Sequence, residues 1–182
     1  DFAFQAENVN GENGEIYWQE GVGNVWGNRL FTPLSCNYCD DIFGELADAV
    51  FMDAWLPEYT KDNRGANLVI TRNTKIDELL KSAVLEKQIY IKKLPIKSII
   101  ESQMGVLITK RQHLAYRLFL DQRAKSKNNI SKRIKASNRL SFIEKLRVRV
   151  ISLIREKVRV LSCEAINSSN FNYKGFKKRF SK

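Results

Sequence analysis

At the front of the chain, apolar and polar positions alternate in short runs. Phe2-Ala3-Phe4-Gln5-Ala6-Glu7 and Glu15-Ile16-Tyr17-Trp18-Gln19 are two of them. Period-2 alternation sends successive side chains to opposite faces, so each run predicts a strand. The turn-rich Asn10-Gly11-Glu12-Asn13-Gly14 between them predicts a hairpin. From Val22 to Leu34 the backbone is expected to be irregular, because Gly21, Gly23 and Gly27 loosen it and Pro33 forbids a regular helix there. Cys36 to Glu45 reads as a polar loop. Ala47 to Ala54 is a short apolar strand carrying Asp48 and Asp53, Ala66 to Thr71 is a cleaner strand, and Gln88 to Lys92 reads as another.

The period then becomes helical. In Lys75 to Lys87, Ile76, Leu79, Leu80, Ala83 and Val84 share one face, with Thr74 as N-cap and Asp77 three residues on, close to a capping box. From Ile96 onward Ile99, Ile100, Gln103, Leu107 and Ile108 lead into His113-Leu114-Ala115-Tyr116-Arg117-Leu118-Phe119. Residues 123–139 are rich in Lys, Arg, Ser and Asn and predict a loop or weak helix. Ser141 to Leu161 predicts an amphipathic helix. Ile143, Leu146, Val150, Ile154, Val158 and Leu161 are expected on its packed face, with Glu144, Lys145, Arg147, Arg155 and Lys157 away from it. Asn167 to Lys182 is polar, aromatic and basic, a segment expected to fray. No internal repeat is present in the sequence. The fold class is α+β, with a small mixed or antiparallel sheet from residues 2–19, 47–54, 66–71 and 88–92 and helices in the C-terminal half.

Charge divides the chain in the same place. Residues 1–73 carry a net charge of −8 and residues 74–182 a net charge of +19, within a total of +11 over 182 residues. An asymmetry of this size suggests two segments: an acidic α+β domain over 1–95 that holds the cysteine loop, and a basic, mainly helical segment over 96–182. The basic segment either neutralises the acidic one or meets an external polyanion. Gln122–Arg149 holds ten Lys+Arg and one acid, Glu144, which would suit nucleic acid, although no helix-turn-helix, zinc-finger or RNA-binding motif accompanies it. Ser141–Leu161 would suit an anionic membrane surface, but reads more naturally as a helix that covers the domain's own sheet or forms a dimer (homo-oligomer) interface. A hydrophobic fraction of 43% supports a core. No run approaches the ~20 apolar residues of a membrane span, and no secretory pattern opens the chain. A chain that starts at Asp1 is expected to be processed, or the C-terminal piece of a longer protein.

Chemistry concentrates in Cys36-Asn37-Tyr38-Cys39. Two thiols at this spacing can ligate zinc or an iron–sulfur cluster, or form a redox disulfide. Alone the pair supplies half of a four-ligand site. Cys163 and His113 are formal third and fourth candidates, but each sits in a helical stretch and reads more naturally as structural. The sequence holds no Walker loop and no dinucleotide fingerprint: Gly21-Val22-Gly23 lacks the strand–turn–helix context. Asp48 and Asp53 can line a site, cap a turn or pair with Arg64 or Arg72. Trp55 can stack on a ring or pack in a core, and Gly65 can admit close backbone approach or make the turn before a strand.

The order Cys36-x-x-Cys39, Ala47-Asp48, Met52-Asp53-Ala54-Trp55, then Arg64-Gly65-Ala66-Asn67-Leu68-Val69-Ile70-Thr71 resembles the C-terminal region of the coenzyme F420 hydrogenase/dehydrogenase beta-subunit family. The likeness is closest over about residues 29–75. Met52 stands where the family has Gly, and Asn67 where it has Ser. The resemblance implies a cytoplasmic iron–sulfur flavoprotein oxidoreductase, extended to membrane-peripheral if the basic helix meets lipid. Its cofactors would be a [4Fe–4S] cluster and FAD, with coenzyme F420 as a further one, and some relatives are associated with surface-polysaccharide synthesis. It implies Cys36 and Cys39 as metal ligands, and Asp48, Asp53, Trp55, Gly65, Asn67 and Thr71 as cofactor-binding residues. It also implies a redox partner protein or subunit.

Overall fold

The alternating segments close into two separate hairpins, and the helical periods follow them. The computed structural model describes residues 3–7, 11, 13–20, 23, 27, 29–59, 61–62, 64–124 and 133–167. The sequence expectations for Phe2, for most of 22–28, for 125–132 and for the basic tail 168–182 lie outside the described residues. Two compact units emerge: one from the described residues within Asp1–Tyr38 and Leu140–Lys182, the other from Cys39–Arg139. This division by compactness differs from the division by charge near residue 95.

In the first unit, β1 (Ala3–Glu7) pairs antiparallel with β2 (Asn13–Tyr17), with Ala3 opposite Tyr17 and Glu7 opposite Asn13. β2 starts earlier than the alternation predicts, and Trp18–Glu20 turns away as a 3-10 helix. A second 3-10 turn, Leu34–Asn37, carries Cys36. The long C-terminal helix α5 (Phe142–Ile166) opens on a reciprocal cap. The Ser141 hydroxyl accepts from the Glu144 backbone N–H at 3.3 Å, and the Glu144 carboxylate accepts from the Ser141 backbone N–H at 3.3 Å.

The packed face of α5 is not the predicted one. Val148, Val158 and Ser162 are buried, with Ile151, Ser152 and Arg155 half-buried beside them, whereas Ile143, Leu146, Val150 and Ile154 are exposed. Of the expected face only Val158 is deeply buried. The selected stripe is made of smaller side chains and is fastened by a hydrogen bond: Ser162 Oγ donates to the Val158 carbonyl at 2.8 Å and accepts the Phe31 N–H at 3.0 Å. The bond is part-buried and joins α5 to the chain at Phe31, which ties this stripe inward.

In the second unit, β3 (Ala49–Asp53) pairs antiparallel with β4 (Asn67–Thr71), with Asp53 opposite Asn67 and Ala49 opposite Thr71. The expectation of one sheet from residues 2–19, 47–54, 66–71 and 88–92 is corrected: the described strands form two sheets of two strands each. Gln88–Lys92 belongs to neither and runs as exposed, unpaired chain. Helix α1 (Thr74–Leu85) is capped by Asn73, one residue earlier than predicted: its side chain accepts the Lys75 N–H at 2.9 Å. Asp77, the expected capping partner, instead lies 2.6 Å from Lys81. Helices α2 (Ile96–Ser102), α3 (Met104–Leu107) and α4 (Leu114–Arg123) follow, with a π-helical turn at Ile108–His113 between the last two. The core of this unit is Leu114, Tyr116 and Leu118 of α4 with Ala54, Leu56 and Leu68 of the hairpin. The α+β class therefore holds, with strands early and most helices late.

α1 ends in a motif built on the wrong residue. Lys87 N–H donates to Val84 O at 3.0 Å and Gln88 N–H to Ala83 O at 2.9 Å, the Schellman pattern, with Lys87 at φ +59° where glycine is favoured. Lys87→Gly should raise unfolding free energy by about 0.5–1 kcal/mol, read as a higher denaturant midpoint at unchanged slope.

Candidate functional site

The loop after the cysteine pair is held by arginines and one lysine. Arg72, just past β4, donates to the carbonyls of Phe43 at 2.9 Å, Gly44 at 3.1 Å and Ala47 at 3.0 Å, and its backbone N–H donates to Asp48 O at 2.8 Å. The loop can lie this close only because Gly44 lacks a side chain: its φ is +50°, and a Cβ would stand 2.7 Å from Val50 Cγ2.

The acidic residues of the loop meet cations within the same unit. Arg133 Nε donates to Asp40 Oδ2 at 2.7 Å, and its guanidinium also binds the Glu45 carboxylate. Arg111 reaches the other Glu45 oxygen at 3.5 Å. The Arg133 hydrogen bond holds the Glu45 carboxyl below the usual glutamate range, and the same pairing raises the guanidinium. Neutralisation of the acidic half by the basic half is thus seen at Arg133 and Arg111. These pairs are exposed, so their contribution is positional more than energetic.

Cys39 opens this loop. Lys110, on the π-helical turn, places Nζ 3.3 Å from Cys39 Sγ and 2.7 Å from the Asp41 carbonyl. A π-turn widens the helix by one residue, and such turns recur at functional sites. Cys36 lies in the other unit, half-buried on its 3-10 turn, because the boundary between units passes between Tyr38 and Cys39. Cys163 is exposed on α5, and His113 is buried at the end of the π-turn. Among the described residues no group of three or more His, Cys, Asp or Glu could hold a metal ion.

The six expected cofactor-binding residues divide between the two ends of the β3–β4 hairpin, about 13–17 Å apart for strands of this length. Asp53, Trp55, Gly65 and Asn67 gather at one end. The buried Ser102 and Gln103 clamp the backbone there: Ser102 Oγ accepts the Trp55 N–H at 2.8 Å, and Gln103 Nε2 donates to Asp53 O at 2.9 Å. The Trp55 and Asp53 side chains are left exposed. Gly65, at φ +77°, makes the turn into β4 with open space where a Cβ would be. At the other end stand Asp48 and Thr71; Asp48 Oδ1 accepts from Asn73 Nδ2 at 3.1 Å. The two arginines considered for Asp53 are engaged elsewhere, Arg72 on the loop carbonyls and Arg64 on Asp62 at 2.9 Å.

Lys110, Arg133 and the clamp of Ser102 and Gln103 escaped the residue-by-residue reading, and the sequence suggests Arg72 for Asp53 rather than for the loop carbonyls. Each acts on a segment far off in sequence, and a cation in a helical stretch carries no local sign of its partner.

Residues 3–97 match the family model that describes the C terminus of the coenzyme F420 hydrogenase/dehydrogenase beta subunit. No curated protein and no solved structure matches the chain.

Two outcomes are expected from this geometry. Ser102→Ala leaves the Trp55 N–H only its longer contact to the Asp53 carbonyl at 3.2 Å and should cost about 0.5–1.5 kcal/mol in equilibrium unfolding. The Asp62 carboxyl, doubly bonded by the Arg64 guanidinium and also by its N–H, is pulled from 3.8 down to about 2. A depressed carboxylate stabilises fully above its unfolded value and loses that contribution as pH falls through the folded one. Carboxyl NMR should therefore place the Asp62 midpoint near 2, and Arg64→Ala should raise it only part of the way to its ordinary value, because the N–H of residue 64 still donates to Asp62 Oδ1.

Proposed function

The chain belongs to the family defined by the C-terminal region of the coenzyme F420 hydrogenase/dehydrogenase beta subunit, and from that premise we propose that it is the C-terminal region of an iron–sulfur flavoprotein oxidoreductase subunit. Its electrons pass between a [4Fe–4S] cluster, FAD and an acceptor, with coenzyme F420 as the family's characteristic candidate and surface-polysaccharide synthesis as one setting. The observation that carries this reading is the family match across the whole run from Cys36-x-x-Cys39 to Thr71.

The donor set falls short of a whole cluster. A [4Fe–4S] cluster takes four thiolates, and this pair supplies two, so a complete cluster on the described residues alone does not fit. In the proposal Cys36 and Cys39 are two ligands and the others come from a further segment or subunit. A cytoplasmic, reducing compartment would keep both thiols available. Lys110 would donate to the Cys39 sulfur, and hydrogen bonds to ligating sulfurs tune reduction potential. The hairpin end with Asp53, Trp55, Gly65 and Asn67 would take the flavin, through an exposed indole, an open glycine and a backbone immobilised by Ser102 and Gln103. Asp48 and Thr71 would belong to the opposite end, next to the cysteine loop that Arg72 holds.

A partner subunit agrees with the surface of the second unit. Leu46, Leu85, Tyr90 and Ile96 are more than three-quarters exposed, apolar area that a partner subunit would cover. No helix of the described residues is long and apolar enough to cross a membrane.

The test is anaerobic purification of the native protein with iron, sulfide and flavin analysis and a visible spectrum, beside Cys36→Ser/Cys39→Ser. Flavin with about four irons per protein, and loss of the iron in the double variant, is the expected result. Iron and flavin both absent from the native protein would overturn the redox reading.

A further inference from the structure

Helix α5 turns its smaller side chains inward and its larger apolar ones outward. Phe142 is 81%, Ile143 77% and Leu153 72% exposed, with Leu146, Val150 and Ile154 each about half exposed. At 100° per residue these six fall within an arc of roughly 120°, opposite the buried stripe of Val148 and Ser162. Arg147 and Arg149 border the arc on its two sides, and Lys157 lies in its continuation. Two acids lie off it, Glu144 in the N-terminal cap and Glu156 at 2.6 Å from Arg159, while Glu164 lies on the arc's continuation in the last turn, two turns beyond Lys157.

We propose that this face of α5 docks in the plane of an anionic membrane surface, with the apolar arc in the acyl boundary and Arg147, Arg149 and Lys157 at lipid phosphates. The argument is charge complementarity around an apolar stripe. Long cationic side chains lay their stems along apolar surface and hold their charges at its rim, which is where anionic headgroups stand. The sequence after the helix adds charge of the same sign: residues 168–182 hold Lys174, Lys177, Lys178, Arg179 and Lys182, no acid, and four aromatics. Clusters of this composition beside an amphipathic helix favour anionic lipid.

A second copy of the chain is the competing occupant, since Ile143, Leu146, Val150 and Leu153 repeat at three- and four-residue intervals. In a parallel pair that register would set Lys157 against its own counterpart in the seam, and it would bring no carboxylate opposite Arg149. The charges therefore favour lipid over self-association.

The test is co-sedimentation of the full chain with vesicles of phosphatidylcholine alone and of phosphatidylcholine with an equal share of phosphatidylglycerol, at low salt. Binding is expected only to the mixed vesicles. Arg147→Ala/Arg149→Ala should weaken it about 30-fold, and Leu146→Glu/Leu153→Glu should abolish it while circular dichroism stays helical. Should the leucine variant lose its helix, the arginine variant decides. Failure to pellet with anionic vesicles would overturn the proposal. So would binding that ignores the leucine substitutions, which would mark plain polyanion adsorption. A concentration-dependent dimer dissolved by Leu146→Glu/Leu153→Glu, without pelleting, would assign the face to a second copy.

Discussion

The second unit depends on one guanidinium. Arg72 closes on the carbonyls of Phe43, Gly44 and Ala47, three acceptors in a loop with no regular pairing of its own. Backbone carbonyls that pack against a strand need partners, and a planar fork of five donors can serve several at once where a lysine could not. The acceptors are neutral, so the bond does not depend on the pH at which nearby carboxylates titrate. Because Arg72 directly follows β4, the hairpin and the loop beyond the cysteines are fixed to each other through one side chain and the Arg72 N–H.

Once that loop is in place, its other contacts follow. Asp40 and Glu45 are held where Arg133 and Arg111 meet them, and Cys39 where Lys110 meets its sulfur. Part of the charge contrast along the chain is thereby resolved inside one unit, between Asp40 and Glu45 of the loop and Arg111 and Arg133. On α5, Arg147 and Arg149 border an apolar arc. Of the two roles that the composition left open, internal neutralisation is the one that the Arg111 and Arg133 ion pairs show.

The proposed chemistry follows this division. The cysteine pair is carried by short turns, not by the rigid elements, and gains order from Lys110 and Arg72 on the side of Cys39. The opposite hairpin end is ordered from behind by the buried Ser102 and Gln103. Their hydrogen bonds go to backbone atoms, which leaves the side chains of Asp53, Trp55 and Asn67 available to a ligand.

The sequence by itself determined the strand positions of both hairpins to within a few residues, the main helices, the α+β class, and the family, through the spacing of Cys36, Cys39, Asp48, Asp53, Gly65 and Thr71. These are signals that local period and short spacing carry. It misplaced what distant partners decide. Gln88–Lys92 has strand composition but no strand to pair with, so its backbone stays outside both sheets. Asn73 rather than Thr74 caps α1, and its amide also reaches Asp48. The face of α5 was assigned by side-chain size, yet Ser162 and the Phe31 N–H set the other one inward. The Asn73 amide on Asp48 and the Phe31 N–H on Ser162 are bonds between residues remote in sequence, which local period does not announce.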